Sequence, residues 1–394
     1  MDPRTLITDP RLRPIADAVL EGRRLSREEG LVVASSTDLI GVGALANSVR
    51  ERLHGDRTYY NINRHLNPTN VCTASCALCA FAVPLSRRSE GWAWPVEEAV
   101  RRVERDVDRS VSELHIVGGL NPEMTLGYYE ALFRALKARF PWIHIKALTM
   151  VELDFIARVD RLPLAEVIGR LREAGLDSCP GGGAEIFSPR ARREICNHKT
   201  DGNRWLEVAR TVHRLGIRSN CTMLYGHVET AQERVDHLLA LRELQDETGG
   251  FQCFIPLAFH PENTHLDHLP RTTGRLDLQT IALARLLLDN IPHVKAYWIM
   301  LGEKIAQVAQ HFGADDLDGT VVDERITWAA GGTAGRGMPR SRLTALIREA
   351  GRVPVLRNTL YEALEVEDGD GTAATAPPSP TTDMRRGAST ERLQ

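Results

Sequence analysis

Short β-rich runs alternate with helical patterns along most of this chain, and that alternation limits the folds open to it. The runs fall at residues 59–64, 114–117, 143–148, 175–179, 217–224, 251–258, 294–301 and 319–322. Between them lie amphipathic helices. Pro95 opens one, with Glu97 and Glu98 in its first turn and Val96, Ala99, Val100, Val103 and Val107 on one face. A second carries Leu126, Tyr129, Leu132, Phe133 and Leu136, and a third starts at Thr230 with Glu233 as a capping box before Val235, Leu238 and Leu239. Strands separated by helices pair in parallel, because only a crossover returns the chain to the same sheet edge. Eight of them predict an α/β fold, a (β/α)8 TIM-type barrel. The last two runs are the weakest, so a six-stranded partial barrel with extensions is the alternative. In both, chemistry belongs at the carboxyl ends of the strands.

Before the barrel, residues 1–57 read as a helical segment, with Ile15, Val19 and Leu20 and then Leu39, Val42, Leu45, Val49 and Leu53 at helical spacing. The barrel with its C-terminal helical elements takes 58–365. From Val366 to Gln394 the sequence is rich in Gly, Ala, Pro, Ser and Thr, and a disordered tail is expected. With a formal net charge of -3, nothing suggests nucleic acid or a membrane surface as partner. No signal-like start and no apolar run near the roughly 20 residues of a membrane span is present, which predicts a cytoplasmic protein.

Seven cysteines are an odd number for a disulfide framework, and a chain of 394 residues is far too long to need one. Cys179, Cys196, Cys221 and Cys253 are scattered, as small core residues are. Cys72, Cys76 and Cys79 are crowded into one loop just after the first strand. Three thiolates can hold three corners of a [4Fe-4S] cube and leave the fourth iron without a protein ligand. An open metal site is a mark of chemistry, since structural sites close their shell. The free iron would chelate S-adenosyl-L-methionine, and one electron from the cluster would cleave it to a 5′-deoxyadenosyl radical. The competing reading is a Cys3His zinc site that recruits His65. Zinc prefers paired C-x2-C units, which this x3, x2 spacing lacks.

If the cofactor lies across the strand tops, the following loops should accommodate it. Gly118 and Gly119 follow the second strand and allow close backbone approach, although a plain turn would also use them. Gly181-Gly182-Gly183 precede Glu185, which could accept ribose hydroxyls or simply favour the next helix start. Arg204 could pair with the methionine carboxylate or be a solvated surface residue. Gly226, after the fifth strand, would admit the adenine.

Taken together, the cysteine motif with Phe81 two residues on, Gly118-Gly119 and the Gly226 loop resemble the radical S-adenosylmethionine superfamily. More narrowly, PGGGAEIF at 180–187, LYGHVET at 224–230, FHPENT at 259–264 and the stretch 298–326 are similar to the enzymes of the futalosine route to menaquinone. The pattern is most like that of the aminofutalosine synthase family, over about residues 39–361. Leu78 departs from it, where relatives usually carry an aromatic residue, but it is no ligand. The resemblance implies that the radical adds to the enol ether of 3-[(1-carboxyvinyl)oxy]benzoate, with aryl migration and loss of the carboxylate, S-adenosylmethionine being consumed as co-substrate. It also implies an electron donor such as flavodoxin or ferredoxin. A cyclic dehypoxanthine futalosine synthase-like cyclase is the sister alternative. A zinc-stabilised barrel that only binds a partner is the reading from another class. Two substrate carboxylates call for donors at the barrel mouth. Arg64 and Asn263 are the expected substrate contacts, and His65, His260 and Glu152 the expected catalytic or proton-transfer groups.

Overall fold

In the computed structural model, residues 2–335, 337–367 and 373–375 are described. The β-rich runs pair in parallel and in chain order: β1 (Asn63–Leu66), β2 (Glu113–Ile116), β3 (His144–Ala147), β4 (Ser178–Cys179), β5 (Arg218–Tyr225), β6 (Phe251–Ala258) and β7 (His293–Val294). An eighth strand, β8 (Asp316–Gly319), spans the gap between the sheet edges. Lys295 bridges to Asp316 on one side and Arg64 bridges to Val322 on the other, which closes the curled sheet into a ring. The α/β barrel expected from the alternation is therefore the architecture observed.

Three runs differ from expectation. The first is broken at Ile62 into Arg57–Asn61 and β1. Its lower half pairs with β8 and with Val353–Arg357, so C-terminal strands extend a second sheet from the foot of the barrel. The seventh run is strand only at His293–Val294, and Trp298–Ala309 is helical. Trp298, Ile299 and Leu301 are all buried there, and a short apolar run satisfies a buried helix as well as a strand. The last strand begins three residues earlier than its β-rich signal, at Asp316, whose charge hides it from a hydrophobic reading.

The N-terminal segment folds into helices Arg13–Leu20, Arg27–Ser35 and Leu39–His54, the last packed on Gly274–Leu287 outside the barrel. At the other end, Val366 and Glu367 complete the strand Ala363–Glu367 instead of opening a tail, and residues 373–375 pair with it. Glu367 is fastened by the Tyr60 hydroxyl at 2.8 Å and Arg340 at 2.9 Å. The rest of the expected tail lies outside the described residues. Among the described residues no helix is long and apolar enough to cross a membrane.

Parallel pairing also sets the levels of the barrel interior. His65 is in register with His115, and His115 with Lys146. From that level Lys146 reaches down to Glu113 at 2.6 Å, and Lys295 meets Asp318 at 2.9 Å, each buried charge paired.

Candidate active site

The loop that follows β1 is braced from behind: Asn70 Oδ1 accepts the Trp92 N–H at 2.8 Å, and Thr69 donates its hydroxyl to the Trp92 carbonyl. This fixes Cys72, Cys76 and Cys79 facing one cavity of about 330 Å³ over the carboxyl ends of the strands. Cys72 Sγ accepts main-chain N–H groups from Ala74 at 3.4 Å and Leu120 at 3.3 Å. Such donors favour a sulfur that carries negative charge, as a cluster thiolate does. Burial pushes the Cys76 thiol up to about 12 and raises Cys79, so these thiols ionise only against a compensating cation.

The donor set fits the cube better than a single ion. A tetrahedral zinc at about 2.3 Å from sulfur would hold its sulfurs about 4 Å apart. Among the described residues, one group alone, His54, His293 and Asp315, brings three metal-type ligand atoms within 4.8 Å, and the cysteines are not in it. Three wider-spaced thiols around a void suit a larger cluster.

The second wall is built by close approach. A Cβ on Gly119 would lie 2.3 Å from the Val71 carbonyl oxygen, and one on Gly118 3.0 Å from that of Thr69. Only glycine lets this loop lie against the cysteine loop, where the Gly119 N–H donates to Thr69 O at 2.9 Å. The Gly118 N–H donates to Glu152 Oε1 at 2.9 Å, and Glu152 Oε2 accepts from Thr149 N–H at 2.7 Å. Burial raises Glu152 to about 7 against those two donors. With both oxygens engaged, Glu152 braces the Gly-Gly loop and caps its own helix (Met150–Asp160).

Gly182, Gly183 and Glu185 form the third wall. Glu185 has φ 48°, an uncommon conformation that persists where surroundings enforce it. Its carboxylate is bonded to Lys199 Nζ. Burial opposes charge on both, but their mutual attraction wins: Glu185 is lowered and Lys199 raised. Leu224, Ile255, Leu257, Phe259, Tyr297 and Met300 make the remaining wall apolar. His65, His115 and Asp318 form the floor, and Glu324, Ile326, Thr327 and Ala330 lie along the rim.

Of the residues expected from sequence, Phe81, Gly118, Gly119, Glu185, His65, His260, Glu152 and the three cysteines line this cavity. Four do not. Arg64 follows the alternation of a strand: its neighbour His65 points inward, so it points out, to Asp106 at 2.7 Å. Arg204 is held outside by Asp154 at 2.8 Å and Glu207 at 2.9 Å. Gly226, at φ 86°, serves packing, since a Cβ there would meet Thr272 at 2.2 Å. Asn263 is exposed and donates to Ala329 O at 3.0 Å, tying its loop to the rim. His115, Lys199, Asp318, Glu324 and Thr327 were missed. His115 was recoverable, as it sits two residues from Glu113 on an inward face, whereas Lys199 reaches Glu185 only through the folded loop.

Residues 66–241 match the radical SAM superfamily profile, and 248–369 match that of the CofH/MqnC C-terminal region. The aminodeoxyfutalosine synthase of Thermus thermophilus is 46% identical over 92% of this chain and 98% of its own length. That of Streptomyces coelicolor is 42% identical over 93% and 98%, and the cyclic dehypoxanthine futalosine synthase of the same organism 38% over 91% and 90%. Among solved structures, the hydrogenase maturase HydG of Carboxydothermus hydrogenoformans is 16% identical with a TM-score of 0.71, covering 91% of this chain and 83% of its own, a likeness of fold. The chain thus belongs to the radical S-adenosylmethionine superfamily of [4Fe-4S] enzymes, in the branch that holds the aminodeoxyfutalosine and cyclic dehypoxanthine futalosine synthases.

Proposed function

We propose that the protein is an aminodeoxyfutalosine synthase, joining the adenosyl moiety of S-adenosylmethionine to 3-[(1-carboxyvinyl)oxy]benzoate, with aryl migration and loss of the carboxylate. A flavodoxin or ferredoxin would supply the electron. The carrying observation is one cavity shared by the three-cysteine loop, an apolar wall and unpartnered imidazoles, in a chain 46% identical to such a synthase along nearly its whole length.

Cys72, Cys76 and Cys79 would hold the cluster, and when bound it supplies the electron that releases methionine and the 5′-deoxyadenosyl radical. Glu185 would accept the ribose hydroxyls once Lys199 yields it. Leu224, Ile255, Leu257 and Phe259 keep water from the radical's path. His260 Nε2 donates to Met300 O at 2.9 Å, which fixes the ring on the cavity wall and leaves Nδ1 without a hydrogen-bond partner among the described residues.

The test is anaerobic turnover of the reduced, reconstituted protein with the enol ether, followed by mass spectrometry of the nucleoside product. A covalent adenosyl–aryl adduct is expected. A parallel incubation with dehypoxanthine futalosine that gave free 5′-deoxyadenosine and a cyclised product would overturn this in favour of the sister cyclase, to which the chain is 38% identical.

A further inference from the structure

The substrate proposed above carries two carboxylates, yet Arg64, the arginine expected to meet them, faces elsewhere, and other cations near the site are engaged. Arg64 is turned to Asp106, Arg204 to Asp154, and Lys199 is engaged by Glu185. What the cavity floor does offer is a pair of imidazoles. His65 and His115, in register on neighbouring strands, stack with centroids 4.4 Å apart and planes 12° apart. Both line the cavity.

Neither ring hydrogen-bonds to any described residue, and His65 Nε2 is buried without a partner, on a residue only 5% exposed. Polar groups inside a protein are nearly always paired, so two imidazoles that line a cavity without a hydrogen-bond partner among the described residues mark where a ligand's polar atoms go. Burial holds His65 down at about 4 and His115 well below its usual range, so in the empty cavity each ring is neutral with one N–H to give. Lys146 lies at the same level and Lys295 beneath, but Glu113 and Asp318 neutralise them. The floor is thus near-neutral and rich in donors, which suits an anion that arrives with its own charge.

We propose that the His65–His115 stack seats one substrate carboxylate, each ring donating one N–H to one oxygen, and so selects an aryl acid over its ester. Rings 4.4 Å apart leave a carboxylate oxygen for each at ordinary charge-assisted distances of about 2.7–2.9 Å. This deepens the functional reading above and rests on its substrate.

Equilibrium dialysis under anaerobic conditions with cluster-loaded protein tests it, using the enol-ether diacid and its two monomethyl esters. Wild type should bind one monoester at least tenfold more weakly than the diacid. His115→Phe should weaken the diacid at least tenfold, leave that same monoester within twofold of wild type, and keep the Kd for S-adenosylmethionine within twofold. His115→Gln, which restores an N–H, should recover part of the loss. Equal affinity of His115→Phe and wild type for the diacid would overturn the proposal, as would equal loss on the diacid and both esters. If His115→Phe fails to fold, the wild-type comparison decides, and parity of the diacid with both esters sinks the stack. If wild type does not bind the diacid, the functional reading falls. The stack is then judged on benzoate against methyl benzoate, where less than a tenfold preference for the acid refutes it.

Discussion

Glu152 accepts two backbone N–H groups, and burial lifts its pKa to about 7 from 4.5. The folded state therefore binds this proton more tightly than the unfolded chain. Its contribution to stability is full below about pH 4.5 and is lost as the pH rises through 7. In the apoprotein, wild type should lose on the order of 3 kcal/mol relative to Glu152→Gln between about pH 4 and pH 8. Urea denaturation of both proteins across that window measures the difference. A flat difference would mean that the Gly118 and Thr149 N–H groups offset burial and leave the carboxyl with the same pKa folded and unfolded. Among the missed residues the same scale explains the failure at Lys199, an ordinary surface-type residue until the loop buries it against Glu185.

The cysteine loop and the Gly118–Gly119 loop act as one element, since the Leu120 N–H reaches Cys72 Sγ and Gly119 lies against the Val71 carbonyl. Gly119→Ala would force a Cβ into that carbonyl, and the neighbour is backbone that cannot swing aside. A loss of about 2 kcal/mol is expected, with iron per chain after reconstitution falling well below wild type. Unchanged iron loading would show that the loops move independently. By contrast, Thr230 caps Ala231–Thr248 through the Glu233 N–H, far from the cysteines in function. Thr230→Ala should cost about 1 kcal/mol in urea and leave the affinity for S-adenosylmethionine unaltered. A loss of that affinity would tie this helix to the site.

At the foot of the barrel a buried charge cluster joins parts that are distant in sequence. Asp315 accepts from Arg285, from His293 and from the Val294 N–H, and neither Asp315 nor the Arg285 side chain has any exposure. Asp315→Asn would leave Arg285 charged and uncompensated, at about 3–5 kcal/mol. Thermal unfolding of the apoprotein checks this, and a change below about 1 kcal/mol would show that water or another acid takes over. None of these residues lines the cavity, so the penalty falls on the fold rather than on ligand binding.

The sequence by itself determined the alternation of strands and helices, and with it the barrel, because hydrophobic period and capping are local properties of the chain. It also determined the cysteine loop, whose three ligands are too close in sequence to be separated by any fold. Site residues beyond the cysteine loop were less legible. Arg64, Arg204, Gly226 and Asn263 have the right chemistry for the site, but which way they face depends on strand pleat, ion pairs and packing partners up to dozens of residues away. Tertiary structure alone placed His115 against His65 and Lys199 against Glu185, and it alone closed the ring through Asp316. Those contacts arise from parallel register and burial, and neither exists before the chain has folded.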